Sequence, residues 1–142
     1  MTEKKKMLAG EVYSAVDPEL IKELMTTREV LYEYNSLRPS ETQRMKEILK
    51  GLFGHVADDD FLINQPFRCD YGKQISIGKR FFANFNFTVL DEARVTIGDD
   101  CLSAPMSAYT PPVTVLILWS ATPVRNGQNL FLSVIMYGLE VA

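Results

Sequence analysis

The first sixty residues place their hydrophobic side chains at the spacing of amphipathic helices. A helix is predicted to begin at Asp17-Pro18-Glu19, because an N-cap acceptor, a proline at the first helical position and an acid near the positive end of the helix dipole follow one another. Its apolar face consists of Leu20, Leu24, Leu31 and Tyr34. Such a face predicts packing against a core rather than a cofactor site.

A second helix is predicted after the turn at Leu37-Arg38-Pro39. Ser40 and Gln43 are predicted to form a capping box at its start, and Gly54 to end it as a C-cap. Its apolar stripe consists of Met45, Ile48, Leu49, Leu52 and Phe53. We expect this stripe to pack on the same core, so residues 1–60 are interpreted as a helical N-terminal segment.

Beyond residue 60 the hydrophobic spacing changes. Ile75-Ser76-Ile77-Gly78 recurs as Val95-Thr96-Ile97-Gly98 twenty residues later, and the apolar or small residues Ile77, Ala83, Val89 and Val95 are each six apart. A six-residue period is typical of a parallel β-helix, whose short strands stack into coils. The pattern stops after Pro105. The sequence therefore predicts an α+β chain: a helical segment (1–60), the first coils of a truncated β-helix (61–105) and an unrelated tail (106–142).

Charge supports this division and limits the kinds of partner. The 142 residues carry a net charge of −3, yet Arg125 and Glu140 are the only Lys, Arg, Asp or Glu in the last 40. An acidic chain is not typical of proteins that bind nucleic acids or anionic membranes, so neither partner is expected. The apolar run 113–119 is too short to span a bilayer, and the N-terminus has no signal-peptide pattern. A cytoplasmic location is expected.

The residue types that bind metals or act as nucleophiles are few. Cys69 and Cys101 have no metal-ligand spacing and are predicted to be reduced thiols that pack in the core. His55, the only histidine, is predicted to lie in a solvated loop. The run Asp58-Asp59-Asp60 lacks the alternating ligands of a calcium loop and is predicted to form a solvated turn. No metal is expected.

An ordered series of segments resembles the bacterial sugar O-acetyltransferases, and most closely their maltose branch. The matching segments are 6–13, 32–35, 67–72, 81–86 and 95–99, so the resemblance covers residues 1–105. It implies a left-handed parallel β-helix and a homotrimer. It also implies acetyl transfer from acetyl-CoA, as co-substrate, to a hydroxyl of maltose, glucose or a related sugar.

The same resemblance implies the residues that contact the acceptor sugar. Asn84 matches a family asparagine that hydrogen-bonds the acceptor, and Asp70 and Asp91 match the pattern of the maltose branch. Glu92 falls where a related enzyme places an acceptor-binding acid, and Phe82 where galactoside enzymes carry tyrosine. The residue types alone leave an alternative open, because Asn and Asp at a coil corner also form turns through their own side chains. For Asn84 and Asp91 both roles remain compatible.

The catalytic base of the family has no counterpart here. A sugar hydroxyl needs a general base to attack a thioester, and histidine suits this role because its pKa lies near 6.5. The matching position in this chain is Thr114, whose hydroxyl cannot act as that base. No catalytic residue is therefore assigned, and we expect the chain to lack transfer activity.

The tail is compatible with a shifted reading frame. One adenine lost before the Met106 codon would have changed Asn-Val to Met-Ser, and in the original frame residues 108–114 can encode Ser-Ile-Tyr-Thr-Ala-Gly-His. The same frame from Met136 onward can encode Val-Trp-Ile-Gly-Gly, a hexapeptide-repeat signature. Residues 106–142 are therefore interpreted as a frameshifted tail. Two alternatives to an acetyltransferase remain: a non-catalytic module that binds a sugar or a protein through Asp70 and Asn84, and a frameshift product without function.

Overall fold

The computed structural model describes residues 1–103 and the backbone of three later strands at 108–109, 113–115 and 136–138. The rest of the tail, including most of the segment interpreted as frameshifted, lies outside the described residues. Three helices come first: α1 (Glu3–Leu8), α2 (Pro18–Ser36) and α3 (Thr42–Leu52). No helix in the described part of the chain is long and apolar enough to cross a membrane.

The predicted start of helix α2 is confirmed, whereas the capping box of α3 is wrong. One carboxylate oxygen of Asp17 accepts hydrogen bonds from the backbone nitrogens of Glu19 and Leu20, at 3.1 and 3.3 Å. Helix α3 begins later than predicted, at Thr42, with Glu41 as its N-cap. The reason is a competing turn, in which the Glu41 carboxylate accepts from the backbone nitrogen of Arg38 at 2.7 Å.

Gly54 does not end helix α3 as a left-handed cap. The C-cap is Phe53, whose backbone is already extended (φ −71°, ψ 153°). Gly54 then donates a backbone hydrogen bond to the oxygen of Ile75 at 2.9 Å, as the chain enters the first coil. A Cβ at position 54 would overlap the carbonyl oxygen of Lys73, so close backbone approach is what requires glycine here.

Eleven short strands follow the helices in the described part of the chain. They are β1 (His55–Val56), β2 (Leu62–Ile63), β3 (Phe67–Cys69), β4 (Ile75–Ile77), β5 (Phe82–Ala83), β6 (Phe87–Val89), β7 (Val95–Ile97), β8 (Leu102–Ser103), β9 (Ala108–Tyr109), β10 (Val113–Val115) and β11 (Met136–Gly138). They form three sheets: sheet A (β1-β4-β7-β10-β11), sheet B (β2-β5-β8) and sheet C (β3-β6-β9). Every pairing is parallel except that of β10 with β11.

One coil of the structure contains twenty residues, which is the repeat length predicted from the sequence. Phe67 pairs with Phe87 and Ile75 with Val95, and each pair is twenty residues apart. The residues at the predicted six-residue period, Ile77, Ala83, Val89 and Val95, are all buried. The parallel backbone ladder continues past Pro105, because β9 pairs with β6 and β10 with β7.

The helical segment covers the first coil and closes its open edge. The side-chain amide of Asn35 donates to the carbonyl oxygen of Phe67 and accepts from its backbone nitrogen, both at 2.9 Å. It therefore occupies the place of a neighbouring strand on the edge strand β3. The Tyr34 hydroxyl donates to the carbonyl oxygen of Ile63. Through these contacts, helix α2 covers the first coil of the β-helix core.

The structure also tests the predictions about the two cysteines, the histidine and the acidic run. Cys69 and Cys101 are buried thiols outside any disulfide, as predicted, and burial raises the pKa of the Cys69 thiol. His55 is exposed as predicted, but it lies in strand β1 rather than in a loop. The acidic run is a solvated turn, in which the backbone nitrogen of Asp60 donates to the Asp58 carboxylate at 3.0 Å. The Asp59 carboxylate pairs with Lys50.

Candidate functional site

The structure divides the predicted acceptor residues between two corners of the coil. Asp70, Asp91 and Glu92 follow strands β3 and β6, at one end of sheet C. Phe82 and Asn84 belong to strand β5 and the turn after it, and that turn leads into the other end of β6. A three-residue strand is roughly 10 Å long, so one chain does not bring both groups around a single sugar ring.

Asp91 holds the corner of the first group together. Its side chain has an exposed fraction of 0%. One carboxylate oxygen accepts from the backbone nitrogens of Asp70 and Tyr71, at 3.1 and 2.8 Å, and the other from that of Gln74 at 3.4 Å. The turn-forming role left open by the sequence is the one that this geometry supports, since a fully buried carboxylate cannot touch an acceptor directly.

The corner that Asp91 holds also connects the coil to the helices. Gly72, in the middle of the turn, has a φ of +78°, which favours glycine. The side-chain hydroxyl of Thr27 in helix α2 donates to the carbonyl oxygen of Tyr71 at 3.2 Å. The Tyr71 ring is buried with Met7 and Leu20 in a small second core. The turn is therefore fixed in position by contacts with the coil and by contacts with helix α2.

Asp70 and Glu92 present the two carboxylates of this corner to solvent. The pKa of Asp70 is raised, first because the group is half-buried and then because the Glu92 carboxylate is nearby. Arg28 of helix α2 opposes this shift. Two carboxylates that share a site are good acceptors for the hydroxyl hydrogens of a polyol, because each offers several lone pairs.

Tyr13 is a member of this corner that the sequence reasoning did not single out. Burial raises the pKa of its hydroxyl, and the nearby carboxylates of Glu92 and Asp70 raise it further. Its ring packs on the small core of Met7, Leu20 and Tyr71. The only signal in the sequence was that Tyr13 ends the segment 6–13, one of those that resemble the sugar acetyltransferases.

The second corner carries Asn84 and Phe82. The Asn84 side-chain oxygen accepts from the backbone nitrogen of Phe85 at 2.9 Å, which is a local turn contact. Asn86, two residues later, has a φ of +62°. Phe82 is partly exposed, and its backbone pairs with Leu62 below and Leu102 above. Asn84 is also only partly buried, so its amide nitrogen remains available at this corner.

Thr114 lies in strand β10, where its backbone pairs with Thr96 of β7. The same sheet contains His55 in β1, at the opposite end of the order β1-β4-β7-β10. Three strand spacings separate the two positions, which corresponds to roughly 14 Å. His55 is therefore too far from the position of Thr114 to serve in its place as a base. Among the described residues, no group of three or more His, Cys, Asp or Glu is arranged to hold a metal ion.

Asp91 makes the stability of this fold depend on pH. Burial raises the pKa of its carboxyl from 3.8 to about 6, although the backbone hydrogen bonds oppose the shift. The folded chain thus binds this proton more tightly than the unfolded chain. The resulting stabilisation is complete below about pH 4 and is lost as pH rises through 6, a change of up to about 3 kcal/mol.

We therefore expect Asp91→Asn to flatten the profile of the free energy of unfolding between pH 4 and 7, as measured by urea titration. Asp60→Asn is the matched control, because it is the same change of side chain at an exposed carboxylate. It should leave the slope unchanged. Parallel profiles for the wild type and Asp91→Asn would contradict the assignment.

Comparison with known proteins identifies the family to which this chain belongs. Residues 6–57 match the maltose acetyltransferase hexapeptide capping motif, which here comprises the end of helix α1, helices α2 and α3, and strand β1. Nodulation protein L of Rhizobium meliloti is 38% identical over 138 residues, which cover 92% of this chain and 75% of that protein. The chain belongs to the maltose and galactoside O-acetyltransferase family.

Solved structures agree with this assignment. A maltose O-acetyltransferase from Clostridium difficile superposes with a TM-score of 0.74 and 38% identity, over 76% of this chain and 57% of that one. A galactoside acetyltransferase in complex with coenzyme A superposes with a TM-score of 0.73 and 29% identity, over 83% and 58%. The chain thus spans a little more than half the length of these family members. The alignment with Nodulation protein L extends beyond the first 105 residues.

Proposed function

We propose that this chain is the acceptor-binding part of a sugar O-acetyltransferase. The complete reaction would transfer acetyl from acetyl-CoA to a hydroxyl of maltose, glucose or a related sugar. The observation that carries the proposal is the pair Asp70 and Glu92, which share one solvent-facing corner beside the buried Asp91. With threonine at position 114, we infer that the chain binds the acceptor without transferring acetyl to it. Left-handed coils and a cytoplasmic location belong to the same proposal.

A homotrimer would bring the two separated corners together around one acceptor. Asp70 and Glu92 lie at one end of sheet C, and Asn84 and Phe82 lie near the other. An acceptor that is contacted by both groups needs one corner from each of two copies, and a closed ring of three copies supplies this arrangement three times. Sedimentation of the purified chain, with and without sugar, measures whether the assembly forms.

Direct sugar binding tests the acceptor assignment. We expect Asp70→Asn to weaken glucose binding by about tenfold, because a charged hydrogen-bond acceptor for a hydroxyl is lost. The measurement is the chemical-shift change of backbone amides during a glucose titration. Asp60→Asn is the control, since this exposed carboxylate lies in the acidic turn of the first coil. Equal affinities for the wild type and Asp70→Asn would contradict the role of Asp70.

A non-catalytic binding module is the second candidate function, and Thr114 favours it. The wild-type chain would again bind sugar and release no coenzyme A from acetyl-CoA, but its gene would contain no frame that restores a histidine at position 114. A chain that bound neither glucose nor maltose would instead favour a product without function. The nucleotide sequence after the Ala104 codon separates a genuine tail from a shifted frame.

A further inference from the structure

We propose that a groove between helix α2 and the outer face of sheet C binds the second sugar ring of an oligosaccharide acceptor. We call it the α2 groove; its walls include Arg28 and Tyr32 from α2, Arg68 and Asp70 from the β3 side, and Thr88 and Leu90 from the β6 side. The inference rests on the proposed function, because Asp70 is both a wall of this groove and a member of the acceptor corner.

The α2 groove is large enough for a sugar and is formed by secondary structure rather than by loose loops. Its volume is about 660 Å³, within the range of small-molecule sites. Arg68 and Thr88 are paired neighbours in the ladder of β3 and β6. They alternate with buried residues such as Phe67 and Val89, and therefore face outward into the groove.

The groove offers flat apolar surface. The Tyr32 side chain is 75% exposed, although it belongs to a helix whose other face is buried. Leu90, on the opposite wall, is 36% exposed. A sugar ring has an apolar C–H face, which packs well against an aromatic ring because the face of the ring is electron-rich. Exposed Tyr32 is thus the natural platform for such a ring.

The groove also offers hydrogen-bond donors that have no partner in the described part of the chain. None of the salt bridges described there involves Arg28 or Arg68. Arg28 interacts only electrostatically with Asp70. A guanidinium carries five N–H donors in one plane, a geometry that suits the equatorial hydroxyls around a sugar. One aromatic platform with planar donors beside it fits a neutral saccharide.

Because the α2 groove is continuous with the acceptor corner, the length of the saccharide is expected to determine how tightly it binds. A monosaccharide at Asp70 and Glu92 fills the corner and leaves the α2 groove empty. A disaccharide bound at the same corner extends past Asp70 toward Tyr32 and Arg68. The wild-type chain is therefore expected to bind maltose about tenfold more tightly than glucose, and maltotriose at least as tightly as maltose.

The test compares these three sugars by calorimetry on the full chain. Tyr32→Ala should bring maltose affinity down to the level of glucose and leave glucose affinity unchanged, whereas Tyr32→Phe should keep the preference. Arg68→Ala should weaken maltose binding by a few-fold, again without effect on glucose. Met25→Ala is the matched control, because Met25 is 48% exposed on the same helix but outside the groove.

The outcomes separate this inference from the proposed function. If glucose binds and maltose binds no more tightly, the corner is an acceptor site and the α2 groove is not a second subsite. The same conclusion follows if Tyr32→Ala weakens glucose and maltose equally. If neither sugar binds the wild-type chain, both the proposed function and this inference are wrong.

Discussion

Inserting one adenine before the Met106 codon is expected to raise acetyl transfer from acetyl-CoA to maltose by at least about 10²–10⁴-fold. In the restored frame, residues 108–114 can read Ser-Ile-Tyr-Thr-Ala-Gly-His, so histidine replaces Thr114. A histidine near its ordinary pKa can take the proton of a sugar hydroxyl at neutral pH, which threonine cannot do. The release of coenzyme A thiol in the presence of maltose measures the rate.

Two controls separate the histidine from the rest of the restored sequence. Thr114→His in the unaltered frame should stay close to the background rate, because the residues around and after it remain unlike the family. The restored chain with that histidine changed to alanine should lose most of the gain. If the restored frame encodes no histidine there, or if its product is no faster, the shifted-frame interpretation is wrong and the binding module becomes the favoured function.

Gly78→Ala is expected to destabilise the fold by about 4 kcal/mol or more, or to prevent folding. Gly78 follows strand β4, directly beneath the next coil. A Cβ there would lie 2.5 Å from the carbonyl oxygen of Gly98 and 2.6 Å from the backbone nitrogen of Asp99. Both are backbone atoms in the stacked coil, so no side-chain rotation relieves the overlap and the two coils must separate.

Gly98→Ala is the matched control, one coil above at the equivalent position of the repeat. A Cβ at Gly98 has no described heavy atom within 4 Å. We expect this change to alter the free energy of unfolding by less than about 1 kcal/mol. Urea unfolding followed by circular dichroism measures both variants. Equal stability of the two would mean that the coils at Gly78 and Gly98 are not stacked as described.

Much of the fold could be predicted from local patterns. The caps and apolar faces of the helices are contiguous in sequence, so Asp17 and the stripe of α3 were identified correctly. The start of α3 was not, because the N-cap is Glu41 rather than Ser40, and the Glu41 side chain makes no capping hydrogen bond. Its carboxylate instead accepts from the backbone nitrogen of Arg38, which closes the preceding turn. When two neighbouring residues could each begin a helix, the choice between them depends on tertiary geometry that the sequence pattern does not contain.

The candidate site was only partly predictable. Asp70 and Glu92 were named from the resemblance, and the structure brings their carboxylates near each other. Asp91 was named with them but is buried beneath the turn, because its carboxylate meets the backbone of the preceding coil. Tyr13 was missed, since 57 residues separate it from Asp70 and only the packing of the helical segment on the coil brings them together.

The sequence by itself determined the helical segment, the twenty-residue repeat and the family, because each depends on spacings that recur locally along the chain. It also showed that position 114 lacks a histidine. The tertiary structure alone decided which polar residues face solvent, that Asn84 lies at a different corner from Asp70, and that Tyr32 opens into a groove. The physical reason is stacking: residues one coil apart become neighbours, and a side chain's role is set by what lies above and below it.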